Sequence, residues 1–291
     1  MKLINQSSEI WGQCPTSLNE AILWIEKAGR VCYRSEDRII EGSGLKFVNG
    51  IIARKHFAVI EHSNLVITTT DTVSNPQKEL ADVRGSMNSP YLHSFIMKDK
   101  IYAGGNFRAW MEQLKLSSID AIFDFINDNP YFEIVTDPQK IPLPLQMVTV
   151  EFITDRAVTH ELVRHRPASY CQESQRYVKY DGNMLFITPS WFESNLDGNE
   201  VSPADSCFLQ SMRNAETDYR FLRKAGMSPQ NARVVLPNQT ATKIVMTASI
   251  PEWSHVFNLR CDSAAYGAMI NLMAPIRDEF INRNWIMPVI K

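Results

Sequence analysis

The sequence predicts an α+β fold, a small sheet flanked by helices, in one domain over residues 1–291. Three observations lead there. Only four segments, 64–70, 146–154, 184–188 and 242–249, carry the β-branched or alternating pattern of strands. Helical periodicity with start and stop signals surrounds them from residue 18 to near the C-terminus. The long stretch between the first two strand-like segments, about 75–145, is itself patterned as helix.

Each element has a local cause. Ser17-Leu18-Asn19-Glu20 reads as a capping box opening a helix through Ala28, with Leu18, Ala21, Ile22 and Ile25 on its apolar face and Gly29 as its stop. Phe47 to Arg54 is a second helix. His56, Glu61 and His62 follow, but the two histidines lie six apart with Glu61 beside His62, which is not a metal-binding HExxH arrangement, so no metal is expected. Asn64 to Thr70 reads as a strand, with Gln146 to Thr154 as its natural partner, where Val148, Val150 and Phe152 alternate with Thr149, Glu151 and Ile153.

Between them, 107–116 and 119–126 read as helices, preceded by Gly104-Gly105 as a glycine turn and followed by a loop punctuated by Pro138, Pro142 and Pro144. Backbone amides of such a turn can receive phosphate, but a lone glycine pair is a weak signal, and a structural or lid role is favoured. Val158 and Leu162 mark a helix that Arg164-His165-Arg166 closes, because Pro167 disfavours helical geometry at Arg166; Pro167 to Gln175 is then a loop. Met184 to Thr188 is a strand and Pro189 to Pro203 an irregular connection. Asp205 caps a long helix ending at Gly226, whose Phe208, Met212, Ala215, Tyr219 and Leu222 form a core or subunit-interface stripe. Ser228-Pro229 opens a short helix, Thr242 to Ser249 is a strand, and Pro251 opens a helix carrying Trp253, His255, Val256, Phe257 and Arg260. Ser263 opens the last helix, with a kink expected at Pro275.

The composition, 44% hydrophobic and 21% charged with a net charge of -2, is that of an ordinary globular protein and argues against general nucleic-acid binding. An RNA-binding module built on the same arginines would need a broad basic face. Five scattered cysteines without CxxC pairing read as free thiols in a reducing compartment, without structural zinc. With no signal-peptide core and no apolar run of membrane-spanning length, a cytoplasmic location without membrane partners is expected.

Chemistry concentrates in Arg164 to Tyr177, where fourteen residues hold three arginines, one histidine, two serines and two tyrosines. Guanidinium forks bind phosphate bidentately, hydroxyls add neutral hydrogen bonds and tyrosine rings offer flat faces, so the mixture suits an anionic, partly aromatic ligand such as a nucleotide. Arginines closing a helix also offset its dipole by roughly 0.3–1 kcal/mol each. Arg164-His165-Arg166, seven residues, then Ser174, with Ser169, Arg176 and Tyr177 in place, resembles the signature of the flavin-dependent thymidylate synthases. Cys171 and Gln172 stand where many members have Asn and Glu. His56-x4-Glu61-His62, Ala232-Arg233-x-x-Leu236-Pro237 and Asn258-Leu259-Arg260 are similar to further motifs of that family.

The resemblance implies a small, mainly antiparallel sheet, with 75–145 as a helical insertion that the family pattern leaves unexplained. It implies methylation of dUMP to dTMP, with FAD as cofactor, methylenetetrahydrofolate as carbon donor and NADPH as reductant, in a homotetramer with shared sites. For the flavin it implies His56, Ala58, Arg164, His165, Arg166, Gln172 and His255. For the nucleotide it implies Glu161, Arg164, Gln172, Glu173, Ser174, Gln175, Arg176, Arg233 and Arg260, with Arg260 catalytic against the pyrimidine. Ser174 then binds rather than attacks, and Cys171 has no activating base. No Rossmann glycine fingerprint is present, so flavin binding falls to the basic constellation. Ser249-Ile250-Pro251 replaces the family's Asn-x-Arg; Asn106 and Arg108 share that spacing and are candidates to substitute for it. An inactive relative is the reading in which these departures mark lost cofactor binding.

Overall fold

Apolar alternation resolves into three sheets in the computed structural model, which describes residues 1–15, 17–72, 74, 85, 87, 89, 91–180, 182–193 and 201–287. The strands are β1 (Lys2–Ile4), β2 (Ser7–Gln13), β3 (Asn64–Thr69), β4 (Leu92–Met97), β5 (Lys100–Asn106), β6 (Phe132–Ile134), β7 (Met147–Thr154), β8 (Ser169–Gln172), β9 (Leu185–Ile187) and β10 (Thr242–Ser249). The helices are α1 (Leu18–Val31), α2 (Ser43–Ala53), α3 (Phe107–Leu114), α4 (Ile119–Asn127), α5 (Arg156–Leu162), α6 (Pro203–Lys224), α7 (Pro229–Ala232), α8 (Ile250–Arg260) and α9 (Gly267–Asn282). Two four-stranded antiparallel sheets, ordered β2-β7-β10-β8 and β4-β5-β3-β6, are accompanied by a separate parallel pair, β1-β9. The fold is therefore α+β and mainly antiparallel, as expected.

β7 and β10 pair along their whole length, from Met147 opposite Ser249 to Thr154 opposite Thr242. Because successive residues alternate faces, Val148, Val150 and Phe152 and their partners Ile244, Met246 and Ala248 form one apolar layer, covered by Val158, Leu162, Trp253, Phe257 and Phe280 from α5, α8 and α9. Full burial of such side chains contributes roughly 1.5–3 kcal/mol each. Val245 and Cys171 face the other way, into the core built with α1 to α4 and β3. That buried side also holds a polar chain: His62 Nδ1 lies 2.8 Å from Thr247 Oγ1, which lies 2.8 Å from Thr149 Oγ1, and Trp24 Nε1 donates to Thr149 at 3.1 Å.

Several expectations change. β3 does not pair with β7: its neighbours are β5 and β6, whereas β7 lies between β2 and β10. The 75–145 stretch supplies its own strands, so the insertion contains β4, β5 and β6 besides the two expected helices. Gly104-Gly105 is not a turn but the middle of β5, its backbone committed to the ladders with β3 and β4. Glycine is required there by close approach, because a Cβ on Gly105 would collide with the Tyr91 carbonyl and one on Gly104 would lie 2.9 Å from Val66 Cγ2. Residues Ser169 to Gln172, expected as loop, form β8 against β10. Ser202, not Asp205, caps α6, its Oγ accepting from Asp205 N at 3.1 Å. The last helix starts at Gly267 and carries Pro275 inside it. Most of 75–90 and residues 194–200 of the expected 189–203 connection lie outside the described residues. Among the described residues no helix is long and apolar enough to cross a membrane.

Asn106 ends β5 and caps α3, its Oδ1 accepting from Ala109 N at 2.9 Å. Asn106→Ala removes that acceptor and is expected to lower unfolding free energy by about 1 kcal/mol. Urea denaturation measures it, and an unchanged midpoint would show that the cap is dispensable.

Candidate functional site

The signature begins where α5 ends. Asp155 starts that helix by accepting from Val158 N at 2.8 Å, and fully buried Val158 and Leu162 anchor it. Its end is tied down by the Tyr170 hydroxyl, which donates to the carbonyls of Leu162 (2.9 Å) and His165 (3.1 Å). In the following turn Arg164 and Arg166 are exposed while His165 turns inward. Arg260, the last residue of α8, meets it there: its Nε donates to His165 Nε2 at 2.8 Å, Nη1 pairs with Glu161 Oε2 at 2.5 Å, and Nη2 donates to the Glu161 carbonyl at 3.1 Å.

A guanidinium only donates, so His165 Nε2 is an acceptor and carries no proton. Burial, then the charges of Arg260, His255 and Arg164, hold the His165 pKa down to about 4, so the ring is neutral near pH 7. The His255 ring lies 6.1 Å from that of His165, edge to face. Glu252 completes this corner: donor atoms of His165, Glu252 and His255 all lie within 4.8 Å of one another. A cation bound there would face the Arg260 guanidinium, which makes the corner a poor metal seat. Burial raises the Glu252 pKa, and its Oε1 is buried without a hydrogen-bond partner.

A second group forms at the other end of α5. Glu173 is buried; its carboxylate takes Arg34 at 3.2 Å and the Tyr180 hydroxyl at 2.8 Å, and its carbonyl accepts from Arg156 at 2.8 Å. Arg176 donates to Gln230 at 2.9 Å, which places it beside α7, and Arg233 follows directly after that helix. Burial lowers the pKa of Arg156, Tyr180 and Glu173 oppose it, and Arg233 adds to the lowering. Arg34 thus holds the carboxylate and Arg156 the carbonyl of Glu173, Arg233 stands near enough to Arg156 to depress its pKa, and Arg156 Nε is buried with no partner. An excess of positive charge with an unused donor is a seat for an anion. Ser174 lies here, its N donating to the Cys32 carbonyl at 3.0 Å and its Oγ accepting from Arg176 N at 3.3 Å, with half-buried Gln175 next in the chain. Gln172 turns toward α5, its amide donating to Thr159 (3.0 Å) and Thr242 (3.4 Å).

Not everything converges. His56 is exposed, with Nδ1 3.5 Å from the Tyr33 hydroxyl, and the Tyr33 ring lies 5.5 Å from Tyr177. Ala58, two residues on, instead lines a cavity of about 950 Å³ shared with Arg166, Ser249, Pro251, Asn106 and Arg108. So Asn106 and Arg108 do stand beside the segment that departs from the family pattern. Asn106 spends its carbonyl oxygen on the α3 cap, however, and Arg108 is held by Glu61 and Glu112, each at 2.8 Å. Glu61 also accepts from Ser169 Oγ at 2.9 Å, tying the insertion to the signature. The cavity falls within the usual size of small-molecule sites, with Arg166 and the unpartnered Glu252 oxygen as polar features, so it fits a cofactor such as a flavin. Sequence reasoning missed Arg34, Arg156, Tyr180 and Glu252. Arg156 directly follows a capping aspartate and looks like any first-turn residue; no local signal marks it.

Residues 133–283 match the family described as thymidylate synthase complementing protein. The chain is 40% identical over 107 residues to a flavin-dependent thymidylate synthase of Geobacter sulfurreducens, covering 36% of this chain and 44% of the relative. It is 31% identical over 139 residues to that of Pyrococcus furiosus, covering 47% and 54%. The chain spans about half the length of the curated relatives it matches. Among solved structures it is similar to a UMP/dUMP methylase from Streptomyces cacaoi bound with 5-Br dUMP, at 15% identity and a TM-score of 0.45, covering 97% of this chain and 93% of the other.

Proposed function

The chain belongs to the thymidylate synthase complementing protein family, and on that premise we propose that it is a flavin-dependent thymidylate synthase. It converts dUMP to dTMP with FAD as cofactor, methylenetetrahydrofolate as carbon donor and NADPH as reductant. The observation that carries this reading is the arginine cluster at buried Glu173: Arg34 on its carboxylate, Arg156 on its carbonyl, and Arg233 near enough to Arg156 to lower its pKa. Its excess charge suits the phosphate of a nucleotide, with Ser174 as a neutral donor and Gln172 and Gln175 alongside.

Arg156 and Glu161 are five residues apart on α5, a rise of roughly 8 Å, so phosphate and pyrimidine would sit near opposite ends of one short helix. At the pyrimidine end Arg260, aligned by Glu161 and neutral His165, stabilises negative charge developing on the ring. The flavin, when bound, supplies the redox chemistry. Arg164, His165, Arg166, Ala58 and His255 would hold it, with His56 and Gln172 reached from their own sides.

Among the described residues Ala58 and Arg166 line the cavity whereas His56, Arg176 and Arg233 do not, and Arg233 is exposed beside Val234, which is 78% exposed. That supports a homotetramer in which neighbouring subunits complete each site. Five free cysteines suit a reducing, cytoplasmic compartment. The purified protein is expected to be yellow and to release tritium from dUMP labelled at C5 only when NADPH and the folate are both present. Colourless protein that binds RNA would overturn the reading; yellow protein without release would mark an inactive relative.

A further inference from the structure

The inserted strands β4 and β5 form one side of the 950 Å³ cavity, although residues 91–108 lie outside the 133–283 segment that carries the family match. His93 and Phe95 share one face of β4, Tyr91 is the residue just before that strand, and all three line the cavity. His93 pairs with Gly104, over which Val66 and Leu145 pack closely. Phe95 packs on the cluster of Val66, Tyr102 and Leu145, which braces it from behind, whereas Tyr91 is 51% exposed.

The three rings of this wall add no fixed charge: partial burial lowers the His93 pKa, which favours the neutral imidazole, and the Arg108 charge is more than offset by Glu61 and Glu112, which both pair with it. Exposed Arg166 lines the same cavity, contributed by the signature segment rather than by the insertion. A flat, uncharged aromatic surface sharing a cavity with a guanidinium matches a ligand with a planar ring at one end and phosphate at the other.

We propose that Tyr91, His93 and Phe95 form a stacking wall for a planar heteroaromatic ring of the flavin cofactor, with Arg166 receiving its phosphate. This rests on the flavin-dependent reading and gives the insertion a purpose. The ring is either the isoalloxazine or the adenine of FAD.

The test is binding of FAD and FMN to flavin-stripped protein, followed by flavin fluorescence, for wild type and for Tyr91→Ala, His93→Ala and Phe95→Ala. Loss of a stacking ring is expected to weaken FAD roughly tenfold, and Tyr91→Phe is expected to restore wild-type affinity. Equal weakening of FMN assigns the wall to the isoalloxazine; weakening of FAD alone assigns it to the adenine. Should Phe95→Ala fail to fold, exposed Tyr91 still decides the matter. FAD and FMN affinities within twofold of wild type for the folded variants would overturn the wall alone. A wild-type protein that binds no flavin would sink the functional reading and the wall with it.

Discussion

In the proposed reaction, replacing Arg260 by alanine is expected to lower turnover of dUMP by about 10²–10³-fold, the usual loss when one preorganised donor to developing charge is removed. Its three nitrogens are all committed, to His165 Nε2, the Glu161 carboxylate and the Glu161 carbonyl, so its position is over-determined. Arg260→Lys keeps the charge but not the planar fork, and a single ammonium cannot satisfy the same three acceptors; most of the loss is expected to persist. A second readout separates charge from mere folding. Because Arg260 helps to hold the His165 pKa near 4, its removal is expected to raise that value toward 6.5, measurable by NMR titration of the imidazole. Unchanged turnover with a shifted His165 would deny Arg260 a catalytic part while leaving the described contact intact. No shift would deny the contact itself.

Acid is expected to destabilise the fold chiefly through His62. This ring is wholly buried, bonded to Thr247 through Nδ1 and without a partner at Nε2, and burial pushes its pKa down from 6.5 to about 4. Between those values the unfolded chain binds a proton that the folded chain refuses, so stability rises with pH across that window. Equivalently, it falls as pH drops from 6.5 toward 4 and levels off below. The shift corresponds to roughly 3 kcal/mol. His165 acts in the same direction over the same range. Denaturant unfolding of wild type and His62→Gln at pH 7 and pH 4 isolates the His62 share. The variant is expected to be less stable at pH 7, where it loses the shape of the ring, and to show a shallower decline toward pH 4. Parallel declines in the two proteins would rule His62 out as the acid-sensitive group.

Local pattern was informative where it could be. The cap at Ser228, the buried stripe of β7, the helix that ends before Arg164 and the mixed fold class all follow from periodicity and from which side chains can bond a free amide. The signature residues were equally legible, because their chemistry is written in residue type and spacing. Pairing and convergence were not. Nothing local told β3 to choose β5 and β6 over β7, since each strand is apolar enough to serve any of them. Gly104-Gly105 looks like a turn until the Tyr91 carbonyl lies against it. Likewise Arg34 and Arg156 are ordinary charged residues until the fold brings both onto Glu173, one of them from far upstream in the chain. The chain's own residues thus determined which elements form and which chemistry is available. The tertiary structure alone decided which groups share a pocket, because strand partners, buried charges and cavity walls depend on contacts between residues far apart in the chain, which no local period encodes.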